Sequence, residues 1–489
     1  MKTIVIGSTK HLILALIYAW LGITVALLAV GVWLLNSRPD LNIWHTTQLT
    51  SEYDRSLEFT DFIEYQKLEN QLFEELEAEI YSHTRGPHSS ILNRYVHGSL
   101  ADPKKWQNDW NRTYEWPLPD ARFGVLLLHG MSDSPYALSH VAKHFKGKAH
   151  LLGLRLPGHG TIPSGLVALE WQDMASAVSL ATRHMRDVLK GRPLYVVGFS
   201  TGAALALNHE LERLSQDQNR DYAGMIFISP AIGLPPVAAG AKWQARLGQM
   251  LGLEKLNWNS IQTEYDPFKY NSFAVNAGDV VYQLAERNQT IMDKLSVEQL
   301  LSMPPILSFQ SITDATVSSR AVLSDLYLRL PANGHQLVMF DINRTQVNMS
   351  LIPDDPLSVL NELIRGQNLQ FEYTLIENLN DSDKSLSKVQ ATSHSSDRLP
   401  TSTLLAQRWP RNVYSLSHVA LPYPMEDSLY GPEGVHFIER VQIGAASSRG
   451  ERGILSVPAD EILRQKWNPF FPYTIQKIDD FLLSQDIEP

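Results

Sequence analysis

Three residues in this chain have the chemistry of covalent acyl transfer: Ser200, Asp314 and His418. A serine hydroxyl is a poor nucleophile until a base takes its proton, and an imidazole base needs a carboxylate to fix its tautomer and orientation. Ser200 stands in Gly198-Phe199-Ser200-Thr201-Gly202. A Gly-x-Ser-x-Gly string recurs by chance in long chains, so its weight comes from its flanks. Before it, Pro193-Leu194-Tyr195-Val196-Val197 is an apolar, β-branched run suited to a strand buried on both faces. After it, Ala203 to Leu214 is rich in Ala, Leu and Glu with apolar residues three and four apart, which predicts a helix. That leaves no relaxed loop between them. The serine is expected on a tight turn with its hydroxyl raised into solvent, and the two glycines let neighbouring backbone pass close.

Asp314 follows the apolar run Pro304 to Gln310 in the short loop Ser311 to Val317, and is the expected acid. A loop-capping carboxylate is the plain alternative. His418 closes Asn412-Val413-Tyr414-Ser415-Leu416-Ser417-His418, read as a strand ending at the histidine, and is the expected base. Its rival is His436, in Gly434-Val435-His436. An oxyanion formed at the attacked carbonyl needs two preorganised donors. The backbone N–H of Thr201 at the helix start is one candidate, and that of Met131, directly after His129-Gly130, is the other. His129 and His159 belong to turn motifs and are expected to be structural.

These residues need a scaffold that brings distant loops together. Phe123 to Leu128, His150 to Leu154, Leu194 to Val197 and Ala223 to Ser229 read as buried strands, with helices between them. Strand–helix alternation of this kind predicts a mostly parallel sheet, whose chemistry gathers at the carboxyl ends of the strands. The domain reading is 1–40 as a membrane anchor, and 41–118 as a polar tether followed by an acidic helix from Asp61 to Tyr81. Residues 119–232 form the first half of the core and 233–303 an insertion expected to act as a lid. Residues 304–489 complete the core, with an uncertain stretch at 343–412 that holds a Ser/Asp-rich segment near 380–400, expected to be mobile. The tail closes with a helix from about Phe471 to Leu483.

Leu12 to Leu35 is uncharged and long enough as a helix to cross about 30 Å of hydrocarbon. Its length, and the want of a small-x-small site after it, favour an uncleaved signal anchor over a cleaved signal peptide. Lys2 and Lys10 precede it, which places the catalytic part on the non-cytoplasmic side, periplasmic in a bacterium. A net charge of -10 without a Lys/Arg run argues against nucleic acid as a partner. With no cysteine in the chain, disulfides, thiolate metal sites and a cysteine nucleophile are excluded.

Taken together, His129-Gly130-Met131, Leu156-Pro157-Gly158-His159-Gly160, the serine motif, Asp314-x-x-Val317 and Ser417-His418-Val419 resemble the α/β-hydrolase superfamily. The likeness is nearest to its monoacylglycerol-lipase-like and carboxylesterase branch, sometimes grouped with serine aminopeptidases. The resemblance implies an α/β-hydrolase fold with a helical lid, and hydrolysis of carboxylic esters, lipid-like ones favoured, through an acyl-enzyme without cofactor or metal. Peptidase, thioesterase or acyltransferase chemistry on the same triad is the alternative. A non-catalytic binding module is the reading from another class.

Overall fold

The computed structural model describes residues 2–84, 91–234, 253–345, 352, 354–379, 388–395, 398–410, 413–432, 439–444 and 464–485. Its centre is a ten-stranded sheet. In chain order its strands are β1 (Tyr114–Trp116), β2 (Gly124–Leu128), β3 (His150–Leu154), β4 (Leu194–Phe199) and β5 (Gly224–Ile228). After the small hairpin β6 (Trp258–Ser260) and β7 (Phe273–Ala274) come β8 (Ile306–Ser311), β9 (Gln336–Phe340), β10 (Glu372–Asn378), β11 (Lys388–Ser395) and β12 (Arg398–Arg408). The sheet order is β1-β3-β2-β4-β5-β8-β9-β10-β11-β12. Neighbours from β3 to β10 pair in parallel, while β1, β11 and β12 add antiparallel edges.

The central strands are apolar throughout because both faces are covered. Successive residues of β2 split between two cores: Leu126 and Leu128 pack on one side, Val125 and Leu127 on the other. The first core holds helices α4 (Trp171–Leu189), α5 (Thr201–Ser215) and α6 (Val275–Met292). The second holds α3 (Ser139–Phe145) and the closing helix α7 (Phe471–Leu483). Every parallel strand therefore ends at one edge, and the loops after β2, β3, β4 and β8 gather there.

The chain begins with α1 (Lys2–Asn36), which is long and apolar enough to cross a membrane by length and composition. Leu16, Trp20, Leu27 and Trp33 on it are exposed. The acidic helix α2 spans Phe62–Glu79, opened by a capping box between Asp61 and Glu64.

Three expectations change. Residues 41–60 are no free tether: Trp44, His45 and Tyr53 are buried, and Glu52 grips Arg155 through both terminal guanidinium nitrogens at 3.0 and 3.1 Å. Arg155 also faces Glu69 of α2 at 3.5 Å. A guanidinium only 1% exposed requires such carboxylates, which ties the N-terminal segment to the sheet. Just after α1, the Arg38 guanidinium donates to the carbonyls of Lys255 and Trp258, and Lys255 returns an ion pair to Asp40 at 2.9 Å.

The described part of 380–400 is the antiparallel pair β11 and β12 rather than a mobile segment. Val389 and Ala391 alternate inward between polar neighbours, and at a sheet edge that alternation is enough to hold a strand. The segment leading to His418 is a loop, not a strand. Asn343 takes its backbone bonds instead, its N–H donating to the Tyr414 carbonyl and its side-chain amide to that of Val413. His418 opens a single 3-10 turn, His418–Ala420. Residues 235–252 of the expected lid lie outside the described residues, as does His436.

Candidate active site

Ser200 sits between the last residue of β4 and the first of α5 with φ 52° and ψ -113°. A side-chain-bearing residue adopts such a conformation only where its surroundings enforce it. Its N–H donates to Ile228 and its carbonyl accepts from Ala203, Ala204 and Ala231. The flanking glycines have a steric reason. A Cβ on Gly202 would overlap the Leu128 carbonyl, and one on Gly198 would lie 2.5 Å from the Ala203 backbone. The turn closes because strand and helix backbones touch there.

Asp314 and His418, 104 residues apart in sequence, meet over 2.8 Å between Oδ2 and Nδ1. A carboxylate can only accept, so Nδ1 carries the proton and Nε2, on the opposite edge of the ring, is left as the acceptor. The Asp314 side chain is fully buried. Its Oδ1 accepts from the N–H groups of Thr316 and Val317 at 2.8 and 3.1 Å, and its Oδ2 also accepts from Gln310 at 3.1 Å. Burial alone pushes this carboxyl up; His418 and the two N–H groups outweigh it and hold the group below the usual carboxylate range. The His418 ring packs at 5.2 Å on that of Phe199.

Ser200 and His418 line one cavity of about 270 Å3, with Met131 and Thr201 beside them. Among the described residues the N–H groups of Met131 and Thr201 have no internal acceptor. For Thr201 this follows from its place in the first turn of a helix, where N–H groups lack intrahelical partners. Pocket walls from the 233–303 insertion include Tyr265, Asp266, Lys269 and Phe273. Asp133 pairs with Lys269 at 2.7 Å, and buried Asp266 accepts from the Tyr430 hydroxyl at 2.6 Å.

His129 and His159 pin turns. The Leu156 N–H donates to Nε2 of His129, whose Nδ1–H donates to the Gly130 carbonyl at 2.8 Å. Nδ1 of His159 donates to Pro157 at 2.8 Å. Burial keeps both rings neutral, pushing His159 down to about 4 and His129 well below its ordinary value. A larger groove of about 850 Å3, bordered by Arg186, Arg213 and Asp221, lies by Pro193, Leu194 and Ala223 at the opposite ends of the strands. It holds none of Ser200, Asp314 and His418.

Sequence reading had not placed Lys269, Asp266, Tyr430 or Arg464 at the site, because they come from the insertion and the C-terminal loops. No local pattern marks them.

Residues 125–341 match the model of the alpha/beta hydrolase family. No curated protein sequence matches the chain significantly. Among solved structures, a metagenome-derived lipolytic enzyme from the study of LipS and LipT is 18% identical, with TM-score 0.37, over 52% of this chain and 98% of its own. Monoacylglycerol lipase of Paleococcus ferrophilus is 16% identical, with TM-score 0.36, over 47% of this chain and 88% of its own. A soluble variant of Saccharomyces cerevisiae monoglyceride lipase is 14% identical, with TM-score 0.37, over 47% and 82%.

Proposed function

Since the chain has an α/β-hydrolase fold and residues 125–341 match that family's model, we propose that it is a serine esterase working through Ser200, His418 and Asp314. One observation carries this reading: a buried aspartate bonded to a histidine that lines the same cavity as a serine on a strained turn. Ser200 Oγ attacks the ester carbonyl carbon while its proton passes to Nε2 of His418. The carbonyl electron pair moves onto oxygen, where the N–H groups of Met131 and Thr201 receive it; losing one such donor typically costs 10²–10³ in turnover. Collapse breaks the bond to the alcohol oxygen, which leaves with the proton from His418. Water then repeats the sequence on the acyl-enzyme, freeing the acid and Ser200. No step calls for a metal or cofactor.

The insertion serves as the lid, and the apolar lining from Met131, Leu234, Phe273 and Val281 supplies the acyl site that a lipid-like ester needs. Helix α1 serves as an uncleaved anchor, its exposed apolar side chains facing lipid, with the catalytic part on the non-cytoplasmic side. The test is labelling with a fluorophosphonate and mapping of the modified residue. Labelling at Ser200 that is lost in Ser200→Ala and His418→Ala supports the assignment. Labelling retained in His418→Ala but lost in His436→Ala moves the base to His436.

A further inference from the structure

Among the described residues three cations line the cavity, Lys269, Arg464 and Lys466, and they are not equivalent. Lys269 is answered by Asp133 at 2.7 Å, within the pocket wall. Arg464 also lines the cavity, half-buried, yet among the described residues it has no carboxylate partner. Its bond runs from Nη2 to the Thr316 hydroxyl at 2.7 Å. Thr316 belongs to the loop whose N–H groups hold Asp314, so this guanidinium stands on the His418 side of the site.

That side has a chemical meaning. The histidine that takes the proton from Ser200 must return it to the departing oxygen, so the alcohol half of the ester lies next to His418. The acyl half then falls to the apolar lining. Arginine is the side chain best suited to a planar or tetrahedral oxyanion, offering several N–H donors in a fixed fork.

We propose that the preferred substrate is an ester of an alcohol carrying a phosphate or carboxylate, with Arg464 receiving that anion. The proposal rests on the esterase reading. Arg464 acts as a specificity determinant; the bond-making groups remain Ser200 and His418.

The test uses the full chain in detergent and two chromogenic butyrate esters with matched leaving groups, 3-hydroxy-4-nitrobenzoate and its primary amide. The expected kcat/KM ratio, anionic over neutral, is at least tenfold at low salt and shrinks as salt rises. In Arg464→Met the ratio falls to about one, and in Arg464→Lys it is partly retained. A ratio near or below one in the wild type, or one unchanged in Arg464→Met, overturns the proposal. Failure of both esters together with absent labelling at Ser200 overturns the esterase reading itself, and this inference with it. Labelling without turnover of either ester overturns the inference alone. A parallel pair, 1-hexanoyl-glycerol 3-phosphate in solution and its palmitoyl homologue in vesicles, distinguishes a soluble phosphate ester from a lipid headgroup.

Discussion

Asp314→Asn removes a charge from the site while keeping its shape, and the surroundings dictate which way the amide turns. The Oδ1 position accepts two backbone N–H groups, from Thr316 and Val317. An amide NH2 placed there would face two donors, so the asparagine oxygen takes that position. Its NH2 is then forced onto the Oδ2 position, opposite Nδ1 of His418 and the Gln310 amide. Nδ1 must become the acceptor, which moves the ring proton to Nε2. A protonated Nε2 cannot take the proton of Ser200. For a serine–histidine–aspartate site this tautomer error costs about 10⁴ in kcat, near 5.5 kcal/mol of activation free energy. The new donor–donor contact with Gln310 costs about 1–3 kcal/mol of stability, so the variant remains folded. Steady-state hydrolysis of p-nitrophenyl butyrate, alongside circular dichroism melts, measures both. A loss in kcat below about tenfold in a folded sample would refute the role given to Asp314.

Gly202→Ala puts a methyl group into the Leu128 carbonyl and 2.6 Å from that of His129, both main chain. The first turn of α5 must retreat, and the Thr201 N–H with it; kcat should drop at least about a hundredfold, with about 1–3 kcal/mol lost in urea melts. Deleting residues 1–36 keeps Arg38 and should leave a stable, active protein. Deleting 1–60 takes Glu52 from buried Arg155 and should cost on the order of 3–5 kcal/mol, seen as a lower Tm; equal melting of the two truncations would refute this. Glu264, fully buried, is pushed up to about 7 chiefly by burial, against the N–H groups of Asn271 and Ser272. The folded chain therefore holds that proton longer than the unfolded one, and the stability this gives is lost as pH rises through about 7. Between pH 5.5 and 8 the wild type should lose about 2 kcal/mol more than Glu264→Gln in urea titrations, and parallel curves would count against it.

What the sequence shows is set by how local each determinant is. The strand, turn and helix around Ser200 are contiguous, so composition and steric need meet within 23 residues, 192–214. The boundaries of α7 were equally plain, since an amphipathic helix packed on one core carries its own period. His418 stood out by closing an apolar run, but that run is not the strand it was read as. The apolar residues before it, Val413 and Leu416, are buried from a loop whose bonding partner is Asn343, about seventy residues away. Residues 41–60 look polar because their partner is Arg155, which is also polar. Burial by charge pairing leaves no hydrophobic period to read. The edge strands β11 and β12 were hidden because one apolar face of two or three residues suffices there.

The bonds of Arg38 have a mechanical consequence. One residue, Ser37, separates the end of α1 from a guanidinium fixed on the carbonyls of Lys255 and Trp258, in the insertion that walls the cavity. Two peptide steps give about 7 Å of slack. If α1 is held in a bilayer, as proposed, the domain that follows is a bracket bolted to its post. The height and facing of its mouth are fixed, where a flexible linker would average over both. Residues spliced in after Ser37 would loosen the bolt by a known length each, converting that height into a quantity an experimenter can set.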